Sequence, residues 1–270
     1  MRVSMLRYFV GACVLACAVA PTFAGPPTIH DESANGPMRF EWRREGPMQA
    51  CATECRVWIS ASGYMTADTP REFEAFAKDP NARGAVLVLD SNGGSVLDTL
   101  VLGRAIRNLN MVTTVGKTRP LQPTSDGDRR TMLSPNGNCE SMCVFLLLAG
   151  SRRYVPPQAH VLVHQIWLGK KRKQAQHLNY SAEEFSIVQR DIGRLSQYTI
   201  EMGGTGELLE TALRIPPWAP LHRLSVDELQ RMRLSTIDAP FEHFVPGTAP
   251  AATATRATIG SLGAPPATYK

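Results

Sequence analysis

Three short segments hold the groups from which acyl-transfer chemistry is built: Asp90-Ser-Asn-Gly-Gly-Ser95, Cys139-Glu-Ser-Met-Cys143 and His164-Gln165. A Gly-Gly pair between a buried strand and a helix lets backbone N–H groups approach an anion closely, because glycine tolerates positive φ and carries no side chain. The plainer reading is a tight βα turn with no ligand. The pair lacks the G-x-G-x-x-G spacing of a dinucleotide site, and no Gly-Lys-Ser/Thr follows, which disfavours nucleotide binding. Ser141 stands where a polar loop becomes an apolar helix, so the N–H groups after it would face an oxyanion forming at its hydroxyl. The same position suits a serine that only caps the helix. His164 ends an apolar strand, where an imidazole is either a base or a satisfied core residue.

The elements that must position these groups alternate strand and helix. Arg56–Ser60 reads as a short strand, and Thr69-Pro70-Arg71-Glu72 supplies an N-cap, a proline at the first helical position and a reciprocal glutamate. Residues 84–89 (GAVLVL) form a continuous apolar run, as in a strand buried on both faces. Ser95 caps a helix whose Val96, Leu100, Ile106 and Leu109 keep helical spacing, and Met111–Val115 is a further buried strand. The order β-α-β-α-β with short connections predicts an α/β fold with parallel strands. After a polar loop over residues 117–138, Met142–Ala149 predicts a buried helix with Gly150 as its C-cap. Strands follow at Arg152–Val155 and His160–His164. Ser181-Ala-Glu-Glu184 opens a long helix to about Met202, and Ser225-Val-Asp-Glu228 opens another.

The 270 residues are 43% hydrophobic and 20% charged with a net charge of +5, which excludes collagen-like, coiled-coil and wholly disordered chains. Residues 1–24 read as a secretory signal peptide: Arg2 and Arg7, an apolar run from Tyr8 to Ala20, and a small-x-small site at Ala24. Its two arginines account for two of the five charges, leaving +3. An alternative is a lipoprotein box, Val14-Leu15-Ala16-Cys17, which would anchor the chain to a membrane through an acylated Cys17. Residues 25–50 and 246–270 read as a flexible N-terminal segment and a disordered tail around one domain, 51–245. Four cysteines remain after cleavage, Cys51, Cys55, Cys139 and Cys143. An even number in an exported chain favours disulfides over a zinc site, with the local pairs preferred among three possible pairings. No metal and no cofactor is expected.

Ser141-Met-Cys-Val-Phe-Leu-Leu-Leu-Ala-Gly150, Arg153-Tyr-Val-Pro156 and Val161-Leu-Val-His-Gln165, taken in order, resemble the proteolytic subunit of the Clp protease and its crotonase-like relatives. In that family Ser-Met, an apolar helix, Ala-Gly, a hairpin and a strand ending in His-Gln carry the nucleophile and the base. Ser91-Asn-Gly-Gly-Ser95 is similar to the family's Ser-Pro-Gly-Gly turn, with Asn92 in place of proline. The resemblance covers roughly Ala82–Gln165, and Leu102-Gly-Arg104 with Ile106-Arg107 resembles an exported, periplasmic branch.

The resemblance implies a spiral of β-β-α units with a long helix after the core, and a homo-oligomer. It implies Ser141 as nucleophile, His164 as base, and an oxyanion hole from the backbone N–H groups of Gly94 and Met142. The activity it implies is that of a serine peptidase or related acyl hydrolase acting on peptide or protein. The family's third residue, an aspartate, should lie near residues 216–222 (PPWAPLH), which contain no carboxylate; Asp191, Asp227, Glu207 and Glu210 are the residues that could fold back to supply one. The missing acid equally suits a catalytically inactive descendant that binds peptide or a partner in the same groove. Export argues against a coenzyme A thioester as substrate and against nucleic acid as partner. Lys170-Lys-Arg-Lys173 reads as a solvated loop suited to an acidic peptide or lipid headgroup, and Arg104 and Arg107 as residues of ion pairs or an oligomer contact.

Overall fold

The computed structural model describes residues 36–46, 55–121, 130–168, 177 and 179–241. Parallel strands β2 (Val57–Ser62), β3 (Val86–Asp90), β4 (Val112–Val115) and β8 (Arg152–Tyr154) form a sheet in that order, with β1 (Arg39–Arg44) antiparallel on the outer side of β2. A second sheet has the order β10 (His222–Arg223), β9 (His160–Val163), β7 (Asn138–Glu140). The helices are α1 (Thr69–Phe76), α2 (Val96–Asn108), α3 (Met142–Ala149), α4 (Ala182–Glu201), α5 (Gly206–Leu213) and α6 (Val226–Arg231).

The chain repeats one path. Each first-sheet strand runs on into a second-layer strand or bridge, and a helix follows: β2, the bridge at Met65, α1; β3, the bridges at Ser91 and Gly94, α2; β4, β7, α3; β8, β9, α4. This is the expected spiral of β-β-α units. Strands β2, β3 and β4 are buried on both faces, as continuous apolar runs require. On one face Ile59, Leu87, Leu89 and Val115 pack with the helices; on the other, Trp58, Val86, Val88 and Val112 meet Leu133, Ile237 and Phe241.

Several local signals act as read. Ser181 and Ser225 each accept the N–H of the residue three on, with Glu184 and Glu228 reciprocating, and Ser95 accepts the N–H of Asp98. Others need correction. Thr69 is not the N-cap of α1; Asp68 is, and Thr69 Oγ1 instead accepts the Thr66 N–H at 2.9 Å. Gly150 is the C-cap of α3 as read, but it is not left-handed; glycine is required there because a Cβ would lie 2.2 Å from Thr113 Oγ1. The stretch 25–50 is not wholly flexible, since β1 pairs along its length with β2 and lays Phe40 and Trp42 on Phe73 and Phe76 of α1. The polar loop after β4 contains an antiparallel pair, β5 (Lys117–Pro120) with β6 (Thr131–Ser134), and then β7. The proposed leader, Cys17, Cys51, Lys170–Lys173 and the tail 246–270 lie outside the described residues.

Candidate active site

Ser141 owes its position to a change of element within one residue. The preceding β7 pairs in parallel with β9, Cys139 opposite Val161 and Glu140 opposite Leu162, and Ser141 N–H extends the ladder to Leu162 O at 2.9 Å. The next residue starts α3, all of whose side chains are buried. Turning so abruptly puts Ser141 at φ 55°, ψ −121°, a region costly for any residue with a Cβ. Its side chain makes no capping bond to the helix, so the plain reading of Ser141 as a helix cap is not supported. The half-buried hydroxyl is held outside both the ladder and the helix.

His164 is the residue that follows β9, so the β7–β9 register brings it to the same end of the sheet as Ser141. It is 6% exposed and lies against Trp167, ring centroids 4.9 Å apart. Its Nδ1 is 2.7 Å from Gln165 O. A carbonyl oxygen cannot donate, so Nδ1 carries the hydrogen and a neutral ring presents Nε2 as the basic nitrogen.

The glycine turn meets Ser141 from the other side. Ser91 N–H donates to Asn138 O and Glu140 N–H to Ser91 O, so the end of β3 pairs with β7. Asn138 N–H also donates to Asp90 Oδ1 at 3.0 Å. The buried Ser91 hydroxyl donates to Gly63 O at 2.6 Å and accepts the Gly93 N–H at 3.2 Å, which sets the turn. Gly93 has φ +99°, and a Cβ on it would lie 2.9 Å from Ser141 Cβ and 3.2 Å from Met142 N. Gly94 has φ +147°, and a Cβ there would meet Met65 O at 2.2 Å. Both glycines are required by close approach as well as by φ. Neither Gly94 N–H nor Met142 N–H bonds a backbone acceptor among the described residues. The second belongs to the first turn of α3, where an N–H has no partner inside the helix.

Residues 216–222 follow Ile215, whose carbonyl accepts the Gln165 N–H at 2.8 Å, and end at β10, which pairs with β9. They therefore run beside the proposed base, as the resemblance implies, but bring no acid. Asp191 is paired with Arg194, Glu207 with Arg231 and Glu210 with Arg214; Asp227 lies in the first turn of α6. The Nδ1 position that an acid would serve is served by the Gln165 carbonyl.

Cys139 and Cys143 are disulfide-bonded, joining β7 to the first turn of α3 across Ser141. Cys55 is disulfide-bonded too, and its expected partner Cys51 is outside the described residues. Among the described residues no group of three or more His, Cys, Asp and Glu could hold a metal ion, and no helix is long and apolar enough to cross a membrane.

The other end of α3 is braced by Arg153 and by Arg107, which binds main-chain carbonyls where an ion pair or an oligomer contact was expected. Arg107 donates to Leu148, Ala149, Gly150 and Met202 carbonyls at 2.7–3.0 Å, and Arg153 Nη1 reaches three of the same oxygens at 2.9–3.2 Å. Cations suit helix C-termini, and here one pair serves the ends of both α3 and α4. Burial, with Arg107 alongside, pushes the Arg153 guanidinium down to about 10, still charged at neutral pH. Arg104 forms the expected ion pair, with Glu201 at 2.8 Å, which holds that carboxyl below its usual range.

A serine on a strained strand-to-helix turn, a histidine just past the adjoining strand and a glycine turn against the serine are thus positioned by one α/β spiral. Residues 128–204 match the family described as Clp protease. No curated protein matches the chain. The matched stretch holds Ser141, α3, β8, β9, His164 and all of α4; the glycine turn lies before it. Over that stretch the chain is similar to the Clp protease family, as its motifs implied.

Proposed function

We propose that this protein is a serine hydrolase of ClpP-like type that cleaves peptide bonds, with Ser141 as nucleophile and His164 as base. The observation that carries this reading is the strained Ser141 turn, held by β7 pairing beside the strand that His164 directly follows. His164 Nε2 takes the Ser141 Oγ proton as the oxygen attacks the carbonyl carbon, and later gives it to the leaving amine. Gly94 and Met142 N–H groups receive the charge that develops on the carbonyl oxygen. The Gln165 carbonyl keeps the tautomer correct, but stabilises the imidazolium less than a carboxylate does. The reading includes export after cleavage near Ala24 and assembly with further copies of the chain.

The purified protein is treated with a fluorophosphonate probe alongside Ser141→Ala and His164→Ala. Labelling of wild type, lost in the first variant and reduced at least about a hundredfold in the second, is expected. No Ser141-dependent labelling at any pH from mildly acidic to mildly alkaline would sink the reading in favour of its rival, a non-catalytic peptide-binding relative. That rival is favoured by one observation, the carbonyl where an acid is expected.

A further inference from the structure

The residue before the proposed nucleophile is a carboxylate for which the described chain supplies no cation. Along β7, Cys139 turns to the core while Asn138 and Glu140 lie half-buried on the opposite face. Asn138 Nδ2 donates to Glu140 Oε1 at 2.8 Å and to Asn92 Oδ1 at 2.6 Å, which uses both of its hydrogens. Asn92 directly precedes the glycine turn, so the three side chains form a row linking that turn to the Ser141 turn. No ion pair among the described residues includes Glu140, whereas Asp191, Glu201, Glu207 and Glu210 each hold an arginine. A fixed negative charge one residue from the nucleophile opposes oxyanion formation unless a cation is brought to it. A substrate that covers the carboxylate with an apolar group leaves it desolvated and uncompensated, which is strongly disfavoured.

We propose that Glu140 is a specificity-determining residue that selects peptides presenting an ammonium or guanidinium group beside the scissile bond, its carboxylate oriented by Asn138 and Asn92. The proposal deepens the hydrolase reading and rests on it for the position of the cleaved bond. Asn92, which replaces the proline of the related turn, thereby has a part in recognition.

Binding separates the two. Ser141→Ala protein is titrated with N-acetylated alanine heptapeptides bearing a C-terminal fluorophore and a central Lys, norleucine or Glu, and with the norleucine peptide carrying a free N-terminus. Anisotropy is expected to show the Lys peptide bound about tenfold more tightly than the acetylated norleucine peptide, between the values for exposed and desolvated ion pairs, and the Glu peptide most weakly. Ser141→Ala/Glu140→Gln, which keeps the bond to Asn138 and should melt as Ser141→Ala does, is expected to lose the preference. Tighter binding of the free-amine norleucine peptide would assign the cation to the substrate N-terminus instead of a side chain. Equal binding of the Lys, norleucine and Glu peptides, a preference that survives Glu140→Gln, or no binding at millimolar peptide overturns the proposal. Absence of Ser141 labelling in the otherwise wild-type chain overturns the hydrolase reading and leaves this measurement standing.

Discussion

Gly93→Ala tests whether the glycine turn really touches the nucleophile. The new methyl would sit at φ +99°, where a Cβ costs about 1–2 kcal/mol. It would also lie 2.9 Å from Ser141 Cβ and 3.0 Å from Glu140 O, well inside the roughly 3.5–4.0 Å at which carbon atoms rest. Forcing such contacts costs about 1–3 kcal/mol more. Together these give a loss of about 3 kcal/mol, and at about 2–4 °C per kcal/mol for a domain of this size the melting temperature falls by about 10 °C. Gly84→Ala is the control: it has φ +74° with nothing within 4 Å of a Cβ, so it suffers the backbone cost alone, a few degrees. Calorimetry gives the stability difference between the two variants, and fluorophosphonate labelling reports the site. Relief of the contact in Gly93→Ala must push the Ser141 turn away, so labelling should fall at least about tenfold there, and not in Gly84→Ala. If both variants melted within about 2 °C of each other and labelled alike, the close approach of the turns would be refuted.

Two further outcomes follow from the packing around α3 and α4. Arg107 and Arg153 share the carbonyls of Leu148, Gly150 and Met202, so each covers part of the other's loss: Arg107→Met and Arg153→Met together should destabilise by at least about 1 kcal/mol more than the sum of the single changes, read by denaturant unfolding, and additivity would refute the shared brace. Tyr198 donates to Phe145 O at 3.1 Å, and burial raises its phenol well above the usual range. Its contribution to stability is therefore fully present below about pH 10 and falls as pH rises toward the folded value, because only the unfolded chain releases the proton. Ultraviolet titration of wild type against Tyr198→Phe should reveal a phenol that ionises only as the protein unfolds, and an ordinary midpoint for it would contradict the burial.

What could be read without coordinates was whatever a few neighbouring residues decide. The capping boxes at Ser181 and Ser225 and the run from Met142 to Ala149 act within one or two turns of helix. The strand β1 was missed because Phe40 and Trp42 alternate over only a few residues in a stretch rich in glycine and proline. The β5–β6 pair was missed because Lys117–Pro120 lacks apolar alternation and is held mainly by its partner. At the site, Ser141 and His164 were nameable from motif order. The Gln165 carbonyl on His164 was not, since a main-chain acceptor leaves no mark on residue type. The arginine brace was hidden for a related reason, as its acceptors are all backbone.

The disulfide across Ser141 also decides how the site can move. Cys139 belongs to a strand and Cys143 to a helix, yet the bond between them makes the turn one covalent ring with the serine at its middle. The first turn of α3 cannot unwind without drawing on β7, and β7 is laddered to β9 on one side and bridged to Ser91 on the other. Fraying, the usual small motion of a helix end, is thereby converted into opening of two sheet edges at once. Hydrogen exchange at Val144, whose N–H bonds Ser141 O, should then track the slow opening of the second sheet instead of the fast breathing of a helix terminus.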